Sequence, residues 1–275
     1  MRKFATVGAQ ALVALLTLPL SPAMAQGAGD LLVAPTRVVL DGARGTEVIL
    51  NNIGAAPATY RISLELRRML PNGALEEVEQ SAANAVEATT LGMISYAPRR
   101  VTLPPNQPQS IRIGIRAPAS LPDGEYRAHM LFRAIPDSKP AVASSGPKEG
   151  VSIALTPIYG VTIPIIVRQG NLSAKAAISD ARIEKGAERD TFSFALARSG
   201  TRSTYGRVRV IKAGVDKPLI DARGIAVYAD VADRRVVFPV DAALAVQLKG
   251  PVTIQYLEDV DAGGGMIAEL QTVIR

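Results

Sequence analysis

Residues 151–167 read VSIALTPIYGVTIPIIV, and the fold is decided by how this stretch is placed. Val151, Ile153, Leu155, Tyr159, Val161, Ile163 and Ile165 occupy alternate positions, so one face of an extended chain is apolar, interrupted by Pro157. Such a strand is about three times the usual ~5–6 residues. A central core strand would account for the apolarity. Pro157 and Pro164 oppose that placement, because a proline donates nothing to a ladder and is confined to edges, strand ends and bulges. They are separated by an odd number of residues, so in a regular strand their missing donors would point to opposite sides. A bulge, bend or strand end is therefore expected between or at them.

Upstream, residues 137–150 have the composition of a loop, with two prolines, two glycines, three serines and two lysines. Before it, short period-two segments succeed one another between turn residues. Leu32–Leu40 reads as one strand and Glu47–Asn51 as the next; Tyr60, Ile62, Leu64 and Leu66 alternate with polar residues up to a Pro71-Asn72-Gly73 turn. Residues 80–91 are small and polar and fit either a loop or a single helical turn. Arg99–Leu103, Ile111–Ile115 and a strand opened by Asp123-Gly124 follow. In the last of these Tyr126, Ala128, Met130 and Phe132 share one face, and Glu125, Arg127, His129 and Arg133 share the other, which predicts a solvated surface histidine.

Downstream of Arg168 the pattern continues as Ala176–Ile183, Thr191–Ala197, Arg207–Ala213, Gly224–Tyr228, Arg235–Val240, Val252–Glu258 and Met266–Ile274. Seven short strands at this spacing fit an immunoglobulin-like sandwich, although the Cys-Trp-Cys landmark of antibody domains is missing. The expected fold is all-β: two immunoglobulin-like β-sandwich domains, residues 26–168 and 169–275, the first ending in the long strand 151–167.

Residues 1–25 stand apart. Arg2 and Lys3 precede an apolar run to Leu20, and Ala23-Met24-Ala25 is a small-x-small site before Gln26, the layout of a cleaved signal peptide. No other segment approaches the ~20 apolar residues of a membrane span. The mature chain is expected to be exported, most simply to a bacterial periplasm, with no membrane insertion. Removing Arg2 and Lys3 leaves 29 basic against 25 acidic residues, a net charge of +4 in place of +6. The basic residues are scattered singly or in pairs, as in Arg67-Arg68, Arg99-Arg100 and Arg234-Arg235, with no run of five and few interleaved aromatics, which points to solvated strand faces and away from nucleic acid.

Composition limits the chemistry. No cysteine and a single histidine exclude thiolate metal sites, a cysteine nucleophile and multi-imidazole centres. Neither a Gly-x-Ser-x-Gly elbow nor a phosphate-binding glycine loop occurs, and Gly263-Gly264-Gly265 reads as a hairpin turn. The carboxylate pairs Glu76-Glu77 and Glu258-Asp259 read as solvated, so a paired-carboxylate glycosidase is only formally open. No enzyme activity and no cofactor are expected.

Several segments together resemble the periplasmic pilus-assembly chaperones, the PapD-like family. They are Ala34-Pro35-Thr36-Arg37-Val38-Val39, Asn51-Asn52, Pro98–Pro105, Ser110–Ile115 and Leu121–Arg133, followed by the 137–150 loop and the apolar strand. The order of these segments over residues 30–167 carries the resemblance; beyond it only the architecture is similar. What the resemblance implies is a chaperone that lends a strand to incomplete pilin-like subunits, with an outer-membrane usher as a further partner. Val151, Ile153, Leu155, Tyr159, Val161 and Ile163 would be the donated side chains. In that family an arginine and a lysine hold the subunit's C-terminal carboxylate, and Arg37 matches the arginine. The lysine's place falls in Ile158-Tyr159-Gly160-Val161, where Tyr159 offers only a hydrogen bond, and the nearest lysine is Lys148. A salt-bridged structural arginine is the other reading of Arg37. A surface or pilus-associated adhesin module is the alternative function, set against the short, glycine-rich start Gln26-Gly27-Ala28-Gly29-Asp30.

Overall fold

The computed structural model describes residues 30–41, 45–136, 158–260 and 264–275. In the first half it contains β1 (Leu31–Ala34), β2 (Val38–Asp41), β3 (Thr46–Asn52), β4 (Ala58–Met69), β5 (Leu75–Val78), α1 (Ala85–Met93), β6 (Ile94–Ala97), β7 (Arg100–Leu103), β8 (Gln109–Ile115), β9 (Gly124–Ile135) and β10 (Gly160–Gln169). One sheet runs β1-β3-β8-β6 and the other β2-β10-β9-β4, with β5 and β7 both on β4. Apart from its divided first strand, this is the strand order of an immunoglobulin sandwich. Val48, Leu50 and Ile111 from one sheet meet Tyr60, Phe132 and Ile165 from the other in a closed apolar core.

The single strand expected over Leu32–Leu40 is divided. β1 pairs with β3 as far as Ala34, then Pro35, which has no N–H, ends the ladder, and β2 crosses to pair in parallel with β10. The undecided stretch after residue 80 contains a short 3-10 turn and then α1, started by a reciprocal capping box between Asn84 and Glu87. Glu87 also pairs with Arg68 on β4, which fixes the helix to the sheet.

The second half contains β11 (Ala174–Glu184), β12 (Asp190–Gly200), β13 (Thr204–Ile211), β14 (Ile220–Val227), β15 (Asp233–Val240), α2 (Ala242–Leu248), β16 (Gly250–Glu258) and β17 (Gly265–Ile274). Its sheets run β11-β12-β15 and β14-β13-β16-β17, and each of the seven expected strands has its counterpart. The chain is thus all-β, two immunoglobulin-like sandwiches in series. α2 was not anticipated: it is short, is capped by Asp241, and sends Ala245 and Leu248 into the second core.

The two sandwiches share an apolar junction of Met69 and Ile166 from the first with Ala226 and Tyr228 from the second. Around it, the Arg235 N–H donates to the Pro71 carbonyl at 2.7 Å and the Met69 N–H to the Asp230 carboxylate at 2.5 Å. The expected Pro71-Asn72-Gly73 turn forms, with Gly73 at φ 83°, and it is pinned by the second domain.

Two residues expected to be solvated are buried instead. His129 is on the outer face of its sheet, as alternation predicts, but the second domain covers that face and leaves it 1% exposed. Glu258, at the end of β16, is buried and held by both terminal nitrogens of Arg202.

Candidate functional site: an open strand edge beside a buried arginine

β10 pairs with β9 along its whole length, from Gly160 opposite Arg133 to Gln169 opposite Gly124. Its other side is covered only from Ile165 to Arg168, by β2. The Tyr159 carbonyl accepts from the Ala134 N–H, so odd-numbered residues aim their backbone groups at β9 and even-numbered ones away from it. Gly160 and Thr162 therefore present N–H and C=O groups to an edge that no described strand covers. Pro164 has the same orientation and no donor, so it closes the open edge just before β2 takes over. The strand begins between the two prolines, as their odd spacing requires, and runs two residues past Val167.

Val151, Ile153 and Leu155 lie outside the described residues, as do Pro157 and the whole of the 137–150 loop. Tyr159 is 50% exposed at the mouth of the edge, next to the exposed Ile158. Val161 is half-buried against the first core. Ile163 is corrected: it is 2% exposed and part of the domain's own core, together with Ile165 and Val167. Alternation identified the apolar face of this strand, but the sheet turns that face inward. What the edge offers outward in 160–164 is backbone.

Arg37 sits at the crossing from β1 to β2, so its side chain reaches the junction. Its guanidinium carbon lies 4.4 Å from the centre of the Tyr205 ring. Burial lowers its pKa, while Tyr228 and Glu125 act to raise it. Both terminal nitrogens are buried without a hydrogen-bond partner, and no described carboxylate forms an ion pair with it. The salt-bridged reading of Arg37 is therefore not what the structure contains. Nearby carboxylates are engaged elsewhere: Glu125 accepts from Arg168 at 3.2 Å and from Ser203, and Asp230 accepts from Arg127 at 2.9 and 3.0 Å. Arg127 in turn stacks on Tyr228 at 3.8 Å. Among the described residues Arg37 has no carboxylate partner, and the four N–H donors of its terminal nitrogens are unused.

His129 packs edge-on to Tyr228, with ring centroids 6.3 Å apart. Burial, with Arg127 and Arg67 adding to it, pushes its pKa down to about 3, so the ring is neutral.

The chain is similar in fold to several solved chaperone structures. It is similar to the YadV chaperone at 15% identity and a TM-score of 0.48, over 88% of this chain and all of that one. It is similar to the CsuC–CsuE chaperone–tip adhesion subunit complex of Acinetobacter baumannii at 12% identity and a TM-score of 0.49, over 89% and 99% of the two chains. The CupB2 chaperone of Pseudomonas aeruginosa matches at 14% identity and a TM-score of 0.43, over 88% and 100%. No protein-family model and no curated protein matches the sequence.

Among the residues of this site, sequence reading missed Tyr205, Tyr228, Glu125, Arg127 and Asp230. They meet only when the two sandwiches dock, and no local pattern signals that. Among the described residues no helix is long and apolar enough to cross a membrane.

Proposed function

We propose that this chain is a periplasmic chaperone that lends the open edge of β10 to an immunoglobulin-like subunit missing a strand, as in pilus assembly. The observation that carries the reading is the pairing of that edge with Arg37. Gly160 and Thr162 supply unpaired backbone groups, and an incomplete sandwich has a matching row of its own to satisfy. At the foot of β10, the orphaned Arg37 guanidinium has the charge and donors for a subunit's terminal carboxylate. Tyr205 and Tyr228 restrict water around it, which strengthens such a contact. The second arm expected from a lysine is absent, so the anchor is a single guanidinium. The exposed Ile158 and Tyr159, and Val151, Ile153 and Leu155 in the segment before them, are the side chains proposed to enter the subunit's groove. Export by residues 1–25 and delivery to an usher belong to the same reading.

The test is co-purification of the mature chain with a subunit lacking its last strand. Thr162→Pro, which removes the one edge N–H between Gly160 and Pro164, is expected to abolish the complex. Arg37→Ala is expected to weaken it about tenfold or more, as for loss of a charged hydrogen bond. A complex that survives both substitutions overturns the reading.

A further inference from the structure

The outer face of the larger sheet of the first sandwich carries a row of like charges that packing does not explain. Arg100 on β7 is the register partner of Arg61 on β4, and Arg61 is the partner of Arg133 on β9. The next position in the row, on β10, is Gly160. Their chain neighbours Tyr60, Ile62, Val101, Phe132 and Ala134 face the core, so all three arginines point outward, and all three are exposed. None makes an ion pair with a described carboxylate, although other arginines of this sheet and its neighbours do. Directly opposed like charges on neighbouring strands weaken a sheet. Three in line therefore cost stability and call for an anion from outside the fold.

The row ends where the backbone is open. Gly160 has no side chain, and the space where its Cβ would stand is bordered by a Leu131 methyl at 2.9 Å, not by a charge. A strand added beyond β10 would place an outward side chain in line with the row, about 10 Å from Arg133 across two strand spacings. That gap is within the combined reach of a glutamate and an arginine. Hydroxyls flank the row, Thr59 and Thr102 on one side and Ser63 and Thr162 on the other. We infer that the strand received by the β10 edge carries an acidic residue on its outward face in line with Gly160, and that Arg133, backed by Arg61 and Arg100, selects it. This rests on the strand-lending reading and adds to it a chemical requirement on the partner. A lipid surface is met instead by clusters of about four to eight basic residues; here three stand in a line aimed at the edge.

Short labelled peptides alternating valine with serine, each with one serine replaced by glutamate or lysine, test this by fluorescence anisotropy on the full mature chain. At one position glutamate is expected to tighten binding about fivefold over the all-serine parent, and lysine to weaken it. That gain should vanish in Arg133→Gln and Arg61→Gln and in about 1 M salt, where screening acts within ~3 Å. Binding of the all-serine peptide should be unchanged in both variants, and both should melt at or above the wild-type temperature, since a repulsion is relieved. If the all-serine peptide binds and no position prefers glutamate, strand lending stands and the inference is overturned. If no peptide binds at all, the strand-lending reading falls and takes the inference with it. A glutamate preference that persists in Thr162→Pro would mean that the row binds acids without the edge, which also overturns it. So would retention on phosphatidylglycerol vesicles that Arg133→Gln abolishes while no peptide shows a glutamate preference.

Discussion

His129 shows how one residue acquires its chemistry from a neighbouring domain. Its ring is covered by Tyr228, and the charges facing it are Arg127 and Arg67 from its own sheet and Asp230 from the second domain. Unfolded, it would titrate near 6.5; folded, it stays neutral down to about pH 3. Between those values the unfolded chain binds one more proton than the native one, so stability rises with pH across the window and is lost as pH falls through it. The loss by pH 4.5 is expected to be about 2–3 kcal/mol. Asp230, whose pairing with Arg127 outweighs its burial and holds its pKa below 3.8, adds a loss only in more acidic solution. Urea titrations between pH 4.5 and 7.5 should therefore show a slope that His129→Leu reduces by about one proton.

At the scale of elements, β10 separates folding from exposure of its edge. The Thr162 N–H points away from β9, so Thr162→Pro removes no bond of the native ladder, and Pro164 two residues on already has this geometry without breaking the strand. The variant is expected to keep the wild-type melting temperature within a few degrees, corresponding to less than about 1 kcal/mol, while losing the edge donor. Circular dichroism melts alongside the binding assay check this. Helix α1 depends on local chemistry instead. Asn84→Ala takes away the acceptor for the Glu87 N–H and half of the capping box, and should cost about 1 kcal/mol in denaturant titrations. Strands were legible in the sequence because period-two alternation and turn residues are local. α1 is not legible in the same way, because its residues are small and its signals, the Asn84 cap and the Arg68 pairing of Glu87, are single contacts. Ile163 was misassigned for a different reason: alternation finds an apolar face without saying whose core receives it.

At the scale of the whole molecule, the candidate site is where legibility ends. Arg37 is recognisable from its segment, but its setting of Tyr205, Tyr228, Glu125, Arg127 and Asp230 draws on β9, β13 and the loop after β14. The same docking buries His129, because the second domain covers part of the first domain's outer sheet face. The site therefore depends on the angle between two sandwiches joined by only residues 170–173. Asp230 fixes that angle from both sides, accepting from the Met69 backbone and from two nitrogens of Arg127. Asp230→Ala would leave Arg127, whose side chain is 10% exposed, without its counter-ion, at a cost of about 2–3 kcal/mol concentrated at the junction. Calorimetry is expected to resolve two transitions in place of one, and small-angle scattering a broader distribution of interdomain distances. Asp221→Ala breaks an exposed pair with Arg207 inside the second domain and should leave a single transition. A variant Asp230→Ala that still unfolds in one step would mean that the apolar contacts of Met69, Ile166, Ala226 and Tyr228 alone couple the domains, and that the angle presenting Arg37 is set by packing and not by charge.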